Sequence, residues 1–180
     1  MNDLTGRLET LIDKNYSNVK SSYQIGEDGE NFVLSSLKSA FPNNTGIFKN
    51  NGKWSGDILF KLENTPRNSF IMFEVKNYQK SSGTVGKDEI KKFFHDLNST
   101  SNGDICGGVL ISLNGPVDFN TLPLEPKFDL ESGKPYIYID CMKEQYPDAQ
   151  CLMKVKFIPQ FQYCTRAIIT CSSLQSALEY

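Results

Sequence analysis

The chain has 180 residues and a mass of 20.3 kDa, which suits one globular domain with a modest appendage. With 39% hydrophobic, 12% aromatic and 22% charged residues it is too apolar for intrinsic disorder. Nineteen basic against 21 acidic side chains leave a net charge of −2, so bulk charge neither advertises nor excludes a nucleic-acid partner.

Residues 1–23 read as a polar helical arm, with Leu4, Leu8, Leu11 and Ile12 at helical spacing and no apolar signal-peptide core. No stretch approaches the ~18 apolar residues of a membrane span, so the expectation is an intracellular, non-secreted chain that engages no membrane. A second helix is predicted over 26–41, where Val33, Leu34, Leu37, Ala40 and Phe41 form one stripe and Pro42 stops it. Acidic Glu27 and Asp28 near its start read as complements to the helix dipole, whereas Glu30 precedes Val33 and Leu34 on the inward stripe.

Three strands follow, over 46–50, 57–62 and 70–78, each bounded by turn residues. Residues 87–97 return to helical periodicity through Ile90, Phe93, Phe94 and Leu97, and 107–113 is continuous enough for a strand buried on both faces. Helix, three strands, helix and strand predict an α/β architecture around a mixed sheet. Beyond it, strands are predicted over 136–141, 151–158 and 163–171 and a short helix over 172–180, placing 116–180 as a β-rich C-terminal extension of the same domain. Its Tyr, Phe and Cys content offers a surface for a homodimer or another partner. Five cysteines without a CxxC pair, and a single histidine, His95, argue against a disulfide framework, a zinc knuckle or a histidine triad. Chemistry must then rest on carboxylates, lysines or thiols.

Glu-x-Lys occurs three times, and context separates the copies. Glu89-Ile90-Lys91 lies on the predicted second amphipathic helix, and Glu125-Pro126-Lys127 carries a proline unsuited to a central strand. Only Glu74-Val75-Lys76 ends a convincing strand, where alternation puts Glu74 and Lys76 on one face. A carboxylate there can hold a hard divalent cation, and a neighbouring ammonium can orient a water or steady an oxyanion. Asp57 opens the preceding strand after Gly56 and is the candidate second carboxylate, with Glu30 a candidate third.

Asp57 followed by Glu74-x-Lys76 resembles the signature of the PD-(D/E)XK, or restriction-endonuclease-like, superfamily of metal-dependent nucleases. Gly26-x-x-Gly29-Glu30 before a helix is similar to archaeal Holliday-junction resolvases, and Phe73-Glu-Val-Lys-Asn-Tyr78 with 84–112 is similar to Mrr-type restriction endonucleases. Two departures stand out: Gly56 replaces the usual proline before the Asp, and Glu74 stands where Mrr-type enzymes commonly carry Gln. The resemblance implies an αβββαβ nuclease core over 24–115 and a Mg²⁺-dependent endonuclease, with Mn²⁺ able to substitute, acting on DNA. It implies Asp57, Glu74, the Val75 carbonyl and Glu30 as metal ligands, Lys76 assisting the attacking water, and products ending in a 5′-phosphate and a 3′-hydroxyl.

Lys53, Trp54, Lys80, Lys87 and Lys91, with Lys92, flank this site in sequence as candidate nucleic-acid contacts, Lys87 and Lys91 standing one helical turn apart. Two readings compete with catalysis by the isolated chain. One is a non-catalytic nucleic-acid-binding or assembly module on the same fold, and the other a nuclease controlled by a regulatory ATPase or sensor subunit.

Overall fold

The computed structural model describes residues 20–50, 52, 56–63, 69–78, 83–99, 105–117 and 125–145. Residues 1–19 of the arm expected over 1–23, the strands over 151–158 and 163–171 and the terminal helix lie outside the described residues, as do Lys53, Trp54 and Lys80, while Ser22 and Tyr23 of that arm belong to the first described helix. Elements follow in the order α1 (Ser22–Ala40), β1 (Ile47–Lys49), β2 (Ile58–Lys61), β3 (Phe70–Lys76), α2 (Lys87–Asn98), β4 (Ile105–Ser112), β5 (Lys127–Phe128), β6 (Pro135–Ile139) and α3 (Met142–Gln145).

The predicted start of α1 at residue 26 is corrected to Ser22. Ser21 and Gln24 form a reciprocal capping box that satisfies the first free N–H groups one turn earlier than the apolar stripe begins. Glu27 and Asp28 therefore leave the first turn, which holds no acidic residue, and the dipole reading of them fails. Glu27 instead stands 3.8 Å from Lys49, and Asp28 pairs with Lys20. Strand β3 ends at Lys76, two residues before the predicted boundary, because Asn77 turns away: its amide donates to the Ile25 carbonyl of α1 at 2.6 Å and accepts from Asn114 at 2.7 Å.

All six strands form one mixed sheet in the order β1-β2-β3-β4-β6-β5. β1 pairs with β2 and β2 with β3 antiparallel, β3 pairs with β4 and β4 with β6 parallel, and β5 closes the far edge antiparallel to β6. The parallel β3–β4 pair requires a crossover, and α2 supplies it. Pro126 stands immediately before β5, an edge strand, where a missing N–H leaves no ladder bond broken.

Alternation along β3 separates two cores. Ile71, Phe73 and Val75 pack with Val33 and Leu37 of α1, together with Ile58, Phe60, Val109 and Ile111. Met72 faces the other way and packs with Phe93 and Leu97 of α2, Leu110 and Tyr138. The two long helices thus cover opposite faces of the sheet, each fully buried Leu, Ile or Phe contributing roughly 1.5–3 kcal/mol of burial. Among the described residues no helix is long and apolar enough to cross a membrane.

Candidate active site

Glu74 belongs to the Met72 face of β3, so the strand's own alternation drives it toward α2 rather than into water. It is 1% exposed, deep burial for a carboxylate. Its Oε1 meets two ammonium groups, Lys76 Nζ and Lys92 Nζ, each at 3.0 Å. Its Oε2 is buried with no hydrogen-bond partner among the described residues.

Asp57 is delivered to the same place by Gly56 and the β2–β3 ladder. Ile58 registers with Phe73, the Asp57 N–H donates to the Phe73 carbonyl at 2.8 Å, and the Val75 N–H donates to Asp57 Oδ2 at 2.7 Å. These two bonds bracket Glu74 and fix the Asp57 carboxylate beside it. Gly56 makes the approach possible: its φ is +68°, and a Cβ there would lie 2.5 Å from Met72 Cγ and 2.8 Å from the Phe73 carbonyl oxygen. Burial, and next the charge of Glu74, push the Asp57 carboxyl up to about 7, with Glu30 adding to the rise and the Val75 N–H and Lys76 opposing it.

Lys76 closes the constellation from the end of β3. It pairs with Glu74 and with Glu89, the latter from α2. Burial disfavours its ammonium, yet the charge of Glu74 and the hydrogen bond it donates to Glu89 more than offset this and hold its pKa above the ordinary lysine value. Lys92 is governed the same way: burial lowers its pKa, Glu74 raises it further, and the net shift is upward.

Of the remaining predicted site residues, Glu30 projects from α1 into an ion pair with Lys49 at 2.8 Å, within electrostatic reach of Asp57. The closeness of α1 to the end of β3 depends on Gly29, where a Cβ would stand 2.6 Å from Asn77 Cβ. Lys87 and Lys91 are exposed on α2, Lys91 lying 3.4 Å from Asp88. Among the described residues no group of three His, Cys, Asp or Glu side chains is placed to hold a metal, so the carboxylates that meet are the pair Asp57 and Glu74. Burial pushes the Cys106 thiol up to about 12, far from a nucleophilic thiolate.

Glu89 and Asp96 were not legible as site members, and Lys92, expected only as a candidate nucleic-acid contact, pairs with Glu74. All three stand on α2, and Lys92 also lies 3.7 Å from Asp96. Their spacing of i, i+3 and i+7 runs along the border of the apolar stripe Ile90, Phe93, Phe94 and Leu97, which is the signal that marks them as facing the sheet.

The donor set suits a hard cation in three respects. Its ligand atoms are oxygens, one of them is buried and unpartnered, and with Glu89 and Asp96 the surrounding charge cluster is net negative. Two carboxylates suffice for Mg²⁺, which usually retains several waters and takes one or two protein carboxylates. Compared with models of protein families, with curated proteins and with solved structures, the chain matches none.

Proposed function

We propose that this chain is a Mg²⁺-dependent nuclease of restriction-endonuclease-like fold that hydrolyses phosphodiester bonds in DNA. The observation that carries the reading is Glu74, buried to 1% exposure with Oε2 unpartnered, beside an Asp57 carboxyl pushed up to about 7. Two carboxylates brought together without a cation are costly to bury, and active sites are where such perturbed groups cluster. Asp57 and Glu74 are the residues that would hold the cation. When bound, a divalent ion supplies Lewis-acid polarisation of the phosphate and a more acidic water.

The chain's own residues do the rest. Lys76, held as an ammonium by Glu74 and Glu89, donates hydrogen bonds to the attacking water or to the developing charge on phosphate and does not accept a proton. Glu89 orients that ammonium from α2. Lys87 and Lys91 are exposed on the same helix and would be the lysines to meet the phosphate backbone.

A second reading draws on a specific observation: both lysines at Glu74 are already ion-paired, as in a structural network that fixes α2 to the sheet. The non-catalytic nucleic-acid-binding module is the function that fits it. Glu74→Gln separates the two. As a nuclease, the variant loses metal-dependent cleavage of duplex, single-stranded and four-way-junction DNA by at least 100-fold while its circular dichroism stays native. Cleavage that survives this substitution removes Glu74 from the chemistry, and silence of the wild-type chain with Mg²⁺ and Mn²⁺ alike favours the binding module or a missing regulatory subunit.

A further inference from the structure

Charges at the seam between β3 and α2 alternate along a ladder: Glu89, Lys76, Glu74, Lys92 and Asp96. The two lysines reach Glu74 from different elements, yet both bind the same oxygen, Oε1, at 3.0 Å. The opposite oxygen, Oε2, is left buried and unpartnered, and Asp57 lies within electrostatic reach of the same carboxylate. A carboxylate that bridges two cations presents one oxygen to each. Here two lysine ammonium groups, one from the strand itself and one from α2, already stand at one of them.

Formal charge points the same way. Asp57, Glu74, Glu89 and Asp96 contribute −4 and Lys76 and Lys92 contribute +2, leaving −2, with Glu30 matched by Lys49. One divalent ion neutralises the group. A second would leave +2 around a carboxylate that is 1% exposed, which desolvation disfavours.

Resting on the metal-site reading above, we propose that Lys92 is a positioning residue that takes the place of a second cation: it holds Glu74 Oε1, turns Oε2 to the metal, and restricts the site to one divalent ion. Lys92 touches neither substrate nor the reacting atoms. Its influence passes through Glu74.

The test counts ions rather than products. Full-length protein at pH 8 is titrated with Mn²⁺, bound ions are counted by calorimetry, and electron paramagnetic resonance reports whether two Mn²⁺ ions are exchange-coupled, as ions about 3.5–4 Å apart would be. Wild type is expected to bind one Mn²⁺ with an uncoupled signal. Lys92→Met is expected to bind two with a coupled signal, and Lys92→Arg, which restores the charge, to return to one. Lys92→Gln keeps a donor for Glu74 and removes only the charge, and it gives the same two-ion result should Lys92→Met lose its native near-ultraviolet dichroism. Two ions on wild type, or one on both neutral variants, overturns the role of Lys92 and leaves the metal site standing. No Mn²⁺ on wild type overturns the metal site and this inference with it.

Discussion

Asp57 is itself largely withdrawn from water and stands beside a buried carboxylate that repels it, and the consequence is a stability that depends on pH. Its carboxyl is raised from 3.8 to about 7 in the folded chain, so between those values the native state keeps a proton that the unfolded chain has released. Stability at this group is present at low pH and is lost as pH rises toward 7, with a slope of at most about 1.4 kcal/mol per pH unit. Asp57→Asn keeps an acceptor for the Val75 N–H and removes the charge. In EDTA it should be more stable than wild type by ~1–2 kcal/mol at pH 8 and equal to it near pH 4, as read by urea unfolding. Mg²⁺ should reverse the order at pH 8: it stabilises wild type, more there than at pH 5.5, because the ligands must be ionised, and leaves Asp57→Asn unmoved. A wild-type curve flat between pH 4 and 8 would show that Asp57 does not bear this burden. Glu74 and Lys76 were legible because strand alternation assigns their face, and Asp57 because it opens the preceding strand directly after Gly56. Glu89 was not, nor was Lys92 as a partner of Glu74, since charged residues flanking an amphipathic stripe look like a solvated surface until the partner strand is known.

Element boundaries divide along the same line. β4 was legible as a strand buried on both faces because 107–113 carries no charged side chain, β3 as a short apolar run bounded by turn residues, and α2 because its stripe is regular. The start of α1 was missed by a full turn because a polar first turn carries no apolar period, and the capping box that sets it is a pair of side chains, Ser21 and Gln24. The entrance to β2 has a sharper requirement. Gly56 combines a positive φ with two contacts that leave no room for a Cβ, one of them to backbone. Gly56→Ala must strain the φ or push β2 away from β3, at a cost of ~1–3 kcal/mol. Because Asp57 follows directly, the same displacement moves its carboxylate off Glu74. Thermal unfolding should show the loss, and Mn²⁺ affinity should fall with it. A variant that is destabilised but binds Mn²⁺ as wild type would show that the Val75 N–H alone is enough to place Asp57.

At the scale of the whole molecule, β3 is where the antiparallel and parallel halves of the sheet meet, and each half supplies a part of the site: β2 brings Asp57, and the crossover to β4 brings Glu89 and Lys92 on α2. Strand order could not be read from periodicity. Nothing in residues 127–139 indicates that β6 lies beside β4 and β5 outside it, since that order depends on which edge is left open after the β3–β4 pair forms. The same arrangement bears on how a molecule of net charge −2 would hold a polyanion. Attraction has to be local, and α2 turns its inner border to Glu74 while exposing Lys87 and Lys91. The Lys91–Asp88 contact is an exposed pair at 3.4 Å, of the kind worth roughly 0–1 kcal/mol, too little to withhold Lys91 from a phosphate. Each lysine that neutralises a backbone phosphate releases condensed counterions, so Lys87→Ala with Lys91→Ala should weaken duplex binding at low salt. It should also make the slope of log K against log salt shallower by about 1.8, or about 1.4 on a single strand. Fluorescence anisotropy in EDTA across a salt series reads both without interference from cleavage. An unchanged slope would place the nucleic-acid path away from α2, whereas a shallower slope with Asp57 and Glu74 intact would set the phosphate track beside the carboxylate pair.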